Sequence, residues 1–179
     1  LFNDLMVLLK VAVVLAFIVI GMMYVRSENL TPFIPENTGT FGAYGWSGIL
    51  RGAAIVFFAY IGFDAVSTAA QETKNPRRNM PIGILGSLLV CTVLYILFSL
   101  VMVGVVDYRE YAGMESIAPA ATAVQHMGTP GPDGTIVPDF PWLNRGIVLA
   151  ILLGYASVIM VMLMGQSRVS SSLALIPLR

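Results

Sequence analysis

Charge is scarce in this sequence. Only 11% of its 179 residues are Asp, Glu, Lys or Arg, and the ten basic and ten acidic side chains cancel. Soluble domains carry about 25% charged residues. Sparse, balanced charge gives no electrostatic reason to expect a nucleic-acid partner. Cysteine occurs once, at Cys91, which excludes an intrachain disulfide; in its apolar run it reads as a buried, inert thiol. Histidine also occurs once, at His126, in a polar stretch where it reads as solvated. No metal cluster, phosphate-binding loop or nucleophile–base pair is visible, so neither an enzyme nor a cofactor is expected. The start, Leu1-Phe2-Asn3-Asp4, lacks the charged opening, short apolar core and cleavage site of a signal peptide. With no initiator Met, the sequence is expected to begin partway through a longer protein.

What is abundant is apolar surface. Hydrophobic residues make up 57% of the chain, and the mean hydropathy is +0.82. Lipid is the natural solvent for such a composition. Four apolar runs reach the roughly 20 residues that a helix needs to cross about 30 Å of hydrocarbon. They lie at about 5–25, 48–70, 81–106 and 146–164, with Pro81 expected in the first turn of the third, a position that suits proline. The runs are continuous rather than alternating, which excludes a β-barrel pattern. The expected fold class is therefore an all-α membrane protein with four transmembrane helices in one transmembrane domain.

The connections differ in character. Residues 26–47 hold Pro32, Pro35 and several Gly, and read as irregular. Residues 71–80 form a short basic connection with Lys74, Arg77 and Arg78. Residues 107–144 read as a long loop, with turn chemistry in Gly128–Gly134. The positive-inside rule places 71–80 in the cytoplasm. Arg168 agrees with that orientation, whereas Arg26, Arg51 and Arg145 fall on the other side.

Two features stand out inside the runs. Lys10 lies in MVLLKVAVVL, where a mid-span lysine costs about 2.5–3.5 kcal/mol on insertion scales. Two readings stand: Lys10 snorkels to the headgroups, or it faces the bundle interior, where desolvation makes its proton releasable. The second feature is Tyr60-Ile61-Gly62-Phe63-Asp64. Gly62 weakens the helix there, and Asp64 is an acid at depth. A break would free carbonyls near Tyr60 and Ile61 for an ammonium, and N–H groups near Asp64 for a carboxylate. That combination suits an amino-acid zwitterion. Asp64 reads equally as an N-cap of the second half-helix. Phe57, Phe58 and Phe63 read as packing aromatics. Gly48-x-x-x-Gly52 is a spacing that permits close helix approach. Ser157 reads as bonding back to its own helix, or to an internal partner.

The stretch FFAYIGFDAVSTAAQETKNPRRNMPIG, Phe57 to Gly83, resembles the sixth transmembrane helix and following loop of amino-acid permeases of the amino acid–polyamine–organocation superfamily, in its cationic-amino-acid-transporter-like branch. MVLLKVAVVLAFIVIGMMYV resembles that family's fifth helix, and MLMGQSRV the end of its eighth. The resemblance implies two inverted five-helix repeats with a broken helix, of which this chain holds helices five to eight. The other helices of the parent chain, including the first with its glycine-rich break, are then missing. It implies alternating-access transport of an amino acid coupled to protons, in a multi-pass protein of the inner or plasma membrane. By resemblance, Phe58 gates the substrate, Ile61 supplies free carbonyls to its amine from the Gly62 break, and Asp64 lies beside the unwound segment. Lys10 matches a lysine that stands where other relatives hold sodium, and Ser157 a hydroxyl that faces it. The tail from 170 to 179 departs from the family pattern. The alternatives are a non-transporting membrane scaffold, for which Gly62 and Asp64 are packing positions, and an inactive fragment.

Overall fold

The computed structural model describes residues 2–59, 73–113, 119–130 and 136–174. Within them lie α1 (Phe2–Met22), a 3-10 turn (Ser27–Leu30), α2 (Gly45–Ala59), α3 (Pro76–Val105), α4 (Tyr108–Gly113), α5 (Pro119–Gln125), strands β1 (Gly128–Pro130) and β2 (Ile136–Pro138), and α6 (Pro141–Ala174). Long helices dominate because a chain in lipid must satisfy its backbone hydrogen bonds within each segment.

Among the described residues, three helices are long and apolar enough to cross a membrane: Asn3–Met22 in α1, Pro76–Val105 in α3, and Pro141–Ser167 in α6. Four spans are expected from the sequence. The described part of the second, α2, has 15 residues, about 22 Å of helix; residues 60–72 lie outside the described residues. The surfaces of the three long helices are rich in bare leucine, with Leu8 68%, Leu89 68% and Leu152 63% exposed. Water would not tolerate such faces, but lipid chains are as apolar as leucine.

Helix ends differ from expectation for local reasons. α3 begins at Pro76, five residues before Pro81. The Asn75 carbonyl accepts the N–H groups of Arg78 at 3.1 Å and Asn79 at 3.0 Å, and Asn75 itself holds a left-handed φ of 52°, which asparagine tolerates. Pro76 thus takes the first-turn place, and Pro81 lies inside the helix, where it removes one backbone bond. Arg77 and Arg78 ride on the first turn of α3 rather than on a free connection. α6 likewise starts early, at Pro141, another proline at the first helical position.

The stretch 107–144 is not one loop. Asp107 caps α4, its carboxylate accepting the Arg109 N–H at 2.8 Å. β1 and β2 pair antiparallel, with Gly128 opposite Pro138 and Thr129 opposite Val137. Residues 131–135, the centre of the expected turn, lie outside the described residues. Cys91, expected to be buried, is exposed; on a lipid-solvated helix a small apolar side chain gains nothing by facing inward.

The described chain forms two compact units. The first comprises Leu1–Thr31 and Cys91–Val158. Its core gathers the end of α1 (Phe17, Ile18), the end of α3 (Val101, Val105, Val106), α5 with Met127, and the start of α6 (Leu143, Ile147). The Phe17 and Phe98 rings lie 4.5 Å apart. Two glycines set how closely the backbones approach. A Cβ on Gly21 would run into Val101 Cγ1 and stand 2.8 Å from Met127 Cε; one on Gly104 would stand 2.7 Å from Val25 Cγ1. The bare Gly104 carbonyl accepts both the Arg26 N–H at 2.9 Å and the Asn29 side-chain amide at 3.0 Å.

The second unit comprises Pro32–Val90 and Ile159–Arg179. It holds the entry to α2. Asn37 Nδ2 donates to Ser47 Oγ at 2.7 Å, and the Gly39 N–H donates to Asn37 Oδ1 at 2.7 Å. Among the described residues nothing comes within 4 Å of a Cβ placed on Gly52, so the expected close approach at the glycine pair has no partner there.

Candidate functional site: a lysine and a serine between two spans

Lys10 stands twelve residues before the end of α1, about 18 Å along the axis. Ser157 stands sixteen residues into α6, about 24 Å from its start. Both positions lie well inside a hydrocarbon layer about 30 Å thick. In the first unit they meet: Lys10 Nζ donates to Ser157 Oγ at 2.6 Å. Ser157 is 4% exposed, the buried polar side chain among the described residues.

The serine is polarised by its own helix. Ser157 Oγ donates its single proton to the Gly154 carbonyl at 3.0 Å. What remains on Oγ is lone pairs, so toward Lys10 it acts as an acceptor. The lysine stem runs past Gly154, whose missing Cβ would lie 3.8 Å from Lys10 Cδ. The back-bond and the internal partner, alternatives in the sequence, therefore occur together on one hydroxyl.

The expected substrate residues fare differently. α2 carries the Phe58 backbone as regular helix. Ile61, Gly62 and Asp64 lie outside the described residues. The structure brings Lys10 and Ser157 together and leaves the expected break at Gly62 undescribed.

Two polar clusters occupy the opposite end of α1. The Tyr24 hydroxyl donates to Asp139 Oδ2 at 2.6 Å, and the Tyr24 ring meets Phe140 edge-on at 6.5 Å. That bond to the carboxylate pushes the Tyr24 phenol up, with desolvation adding to it. The second cluster is one that the sequence reading missed. His126 Nε2 lies 3.4 Å from Glu110 Oε2, and its side chain is 29% exposed rather than free in solvent. Next to Glu110, the Tyr111 hydroxyl donates to the Met102 carbonyl at 3.2 Å. Burial, aided by the Glu110 charge, pushes the Tyr111 phenol up to about 12.

Apolar helices of spanning length define an α-helical integral membrane protein. The family described as amino acid permease matches residues 1–175, and the chain belongs to it. That is a family of transporters rather than enzymes. The chain is similar to the branched-chain amino acid permease BcaP of Bacillus subtilis (strain 168), 42% identical over 167 residues, covering 93% of this chain and 31% of the relative. It is 50% identical over 109 residues to the methylthioribose transporter of the same organism, covering 61% of this chain and 22% of the relative. Cationic amino acid transporter 1 of Arabidopsis thaliana is 33% identical over 173 residues, covering 97% of this chain and 25% of the relative. The chain thus spans less than a third of the length of each of these relatives.

Proposed function

We propose that this chain is a segment of a secondary active transporter that carries an amino acid across the cell membrane by alternating access, coupled to protons. The observation that carries the reading is the 2.6 Å bond from Lys10 to Ser157 between two helices of spanning length. An ionisable side chain inside a span is costly and is retained where it lines a pathway or relays charge. Lys10 is the proton carrier in this account. Ser157, its hydroxyl proton committed to Gly154, receives the amine and orients it. Substrate binds at the break proposed for Gly62, with carbonyls near Ile61 on the ammonium, Asp64 beside the free N–H groups, and Phe58 closing over the site.

Names among the relatives support an amino-acid cargo: one is a branched-chain amino acid permease and another a cationic amino acid transporter. We place the protein in the inner or plasma membrane as a multi-pass chain, with Lys74, Arg77 and Arg78 on the cytoplasmic side. The remaining helices of the parent chain complete the substrate clamp. The test is uptake by the complete permease in proteoliposomes. Lys10→Ala is expected to abolish accumulation driven by a pH gradient. Intact gradient-driven accumulation in that variant removes the coupling role.

A further inference from the structure

His126 sits just past the C-terminal end of α5, with an oxygen within reach of each ring nitrogen. Its Nδ1 lies 3.0 Å from the Thr122 carbonyl, and its Nε2 lies 3.4 Å from Glu110 Oε2 on α4. A backbone carbonyl only accepts, so Nδ1 must carry a proton to bond it. An ionised carboxylate also only accepts, so Nε2 must carry one too. A neutral imidazole has one N–H and cannot serve both. The arrangement is complete only for the imidazolium. The carbonyl end of a helical turn is in addition a favourable place for a cation.

The other charged or titratable groups on neighbouring elements are otherwise engaged. Asp107 accepts the Arg109 N–H. Arg109 Nε donates to the Tyr108 hydroxyl at 3.2 Å, with its guanidinium 5.6 Å from that ring. Tyr111 donates to Met102, and Asp139 accepts from Tyr24. α5 carries no charged residue. Among the described residues Glu110 is therefore the carboxylate that reaches the imidazole.

We propose that His126 and Glu110 form a proton-operated clasp that holds α4 to α5 more tightly when the imidazole is protonated and loosens when it is neutral. The clasp bears on the core, because Met127, the residue after His126, is fully buried in it. It is separate from Lys10 and stands whether or not that lysine carries a proton. It makes the segment between the third and fourth spans respond to pH on the side of the membrane it faces.

The test is hydrogen exchange of residues 108–127 in the complete chain in lipid nanodiscs, compared between about pH 5.5 and about pH 8, corrected for intrinsic rates. We expect protection in the parent to fall about two- to fivefold at the higher pH, as suits an exposed pair. Glu110→Gln, whose amide can donate to or accept from the imidazole, is expected to show no such fall, and His126→Gln likewise. A parent that is insensitive to pH, or a parent and Glu110→Gln with the same dependence, overturns the clasp.

Discussion

Lys10 Nζ and Ser157 Oγ are 147 positions apart in sequence and 2.6 Å apart in space. One comes from an apolar helix near the start of the chain and the other from its last long helix. Their bond is the polar link on which the transport proposal stands, and it makes the two residues energetically inseparable.

Removing the acceptor should therefore be felt beyond the serine itself. Ser157→Ala takes the acceptor away from the part-buried lysine N–H, and we expect a loss of about 1–3 kcal/mol. Ser157→Thr keeps the hydroxyl and should retain most of the stability. Denaturant unfolding in detergent micelles, with the three chains compared side by side, measures the difference.

Close backbone approach gives a second expectation. Gly104→Val drives new atoms into Val25, since even a Cβ would stand 2.7 Å from Val25 Cγ1. Overpacking of this kind costs about 1–3 kcal/mol. Gly86, on the same helix, has nothing among the described residues within 4 Å of its Cβ position, so Gly86→Ala should be neutral or slightly stabilising through helix propensity. Thermal unfolding of the two variants should separate these outcomes clearly.

Legibility from sequence divided along physical lines. Lys10 was visible because a charge in an apolar run is expensive wherever it falls. Ser157 was singled out by resemblance; its residue type alone pointed first to a bond with its own helix, and the Gly154 carbonyl does take that bond. His126 was misread as solvated because its partner, Glu110, belongs to a stretch that looked like loop. Signals for α4 and α6 were nonetheless present: Asp107 as a cap and Pro141 as a first-turn proline. The hydropathy puts Pro81 in the first turn of α3, because the φ of Asn75 that lets Pro76 open the helix is not written in it. Close approach at Gly21 and Gly104 was illegible, since it depends on which helix lies opposite.

Alkaline pH probes the packing around α4. The Tyr111 phenol is raised to about 12 by burial and by Glu110. Below the unfolded value near 10 both states hold the proton and the contribution is fully present. Between about 10 and about 12 the unfolded chain loses its proton first, so stability falls as pH rises. Tyr111→Phe cannot ionise and should lack that part of the loss. The difference between the two pH–stability profiles isolates the residue from the other tyrosines and lysines.

Substrate recognition is tested at the proposed break. Asp64→Asn keeps the size of the side chain and removes its charge, while Gly62→Leu restores a helix former. With the pair at the substrate, each should lower uptake by about tenfold or more, Asp64→Asn through the loss of a charged hydrogen-bond partner and Gly62→Leu through closure of the proposed break. A scaffold without transport predicts that neither change alters ligand binding.

The central claim, that Lys10 moves a proton with the substrate, is tested most directly by watching that proton. A pH-sensitive dye sealed inside proteoliposomes of the complete permease should report acidification when amino acid is added outside. Lys10→Met should bind substrate yet leave the lumen unacidified. Acidification by Lys10→Met equal to that of the parent would contradict the account.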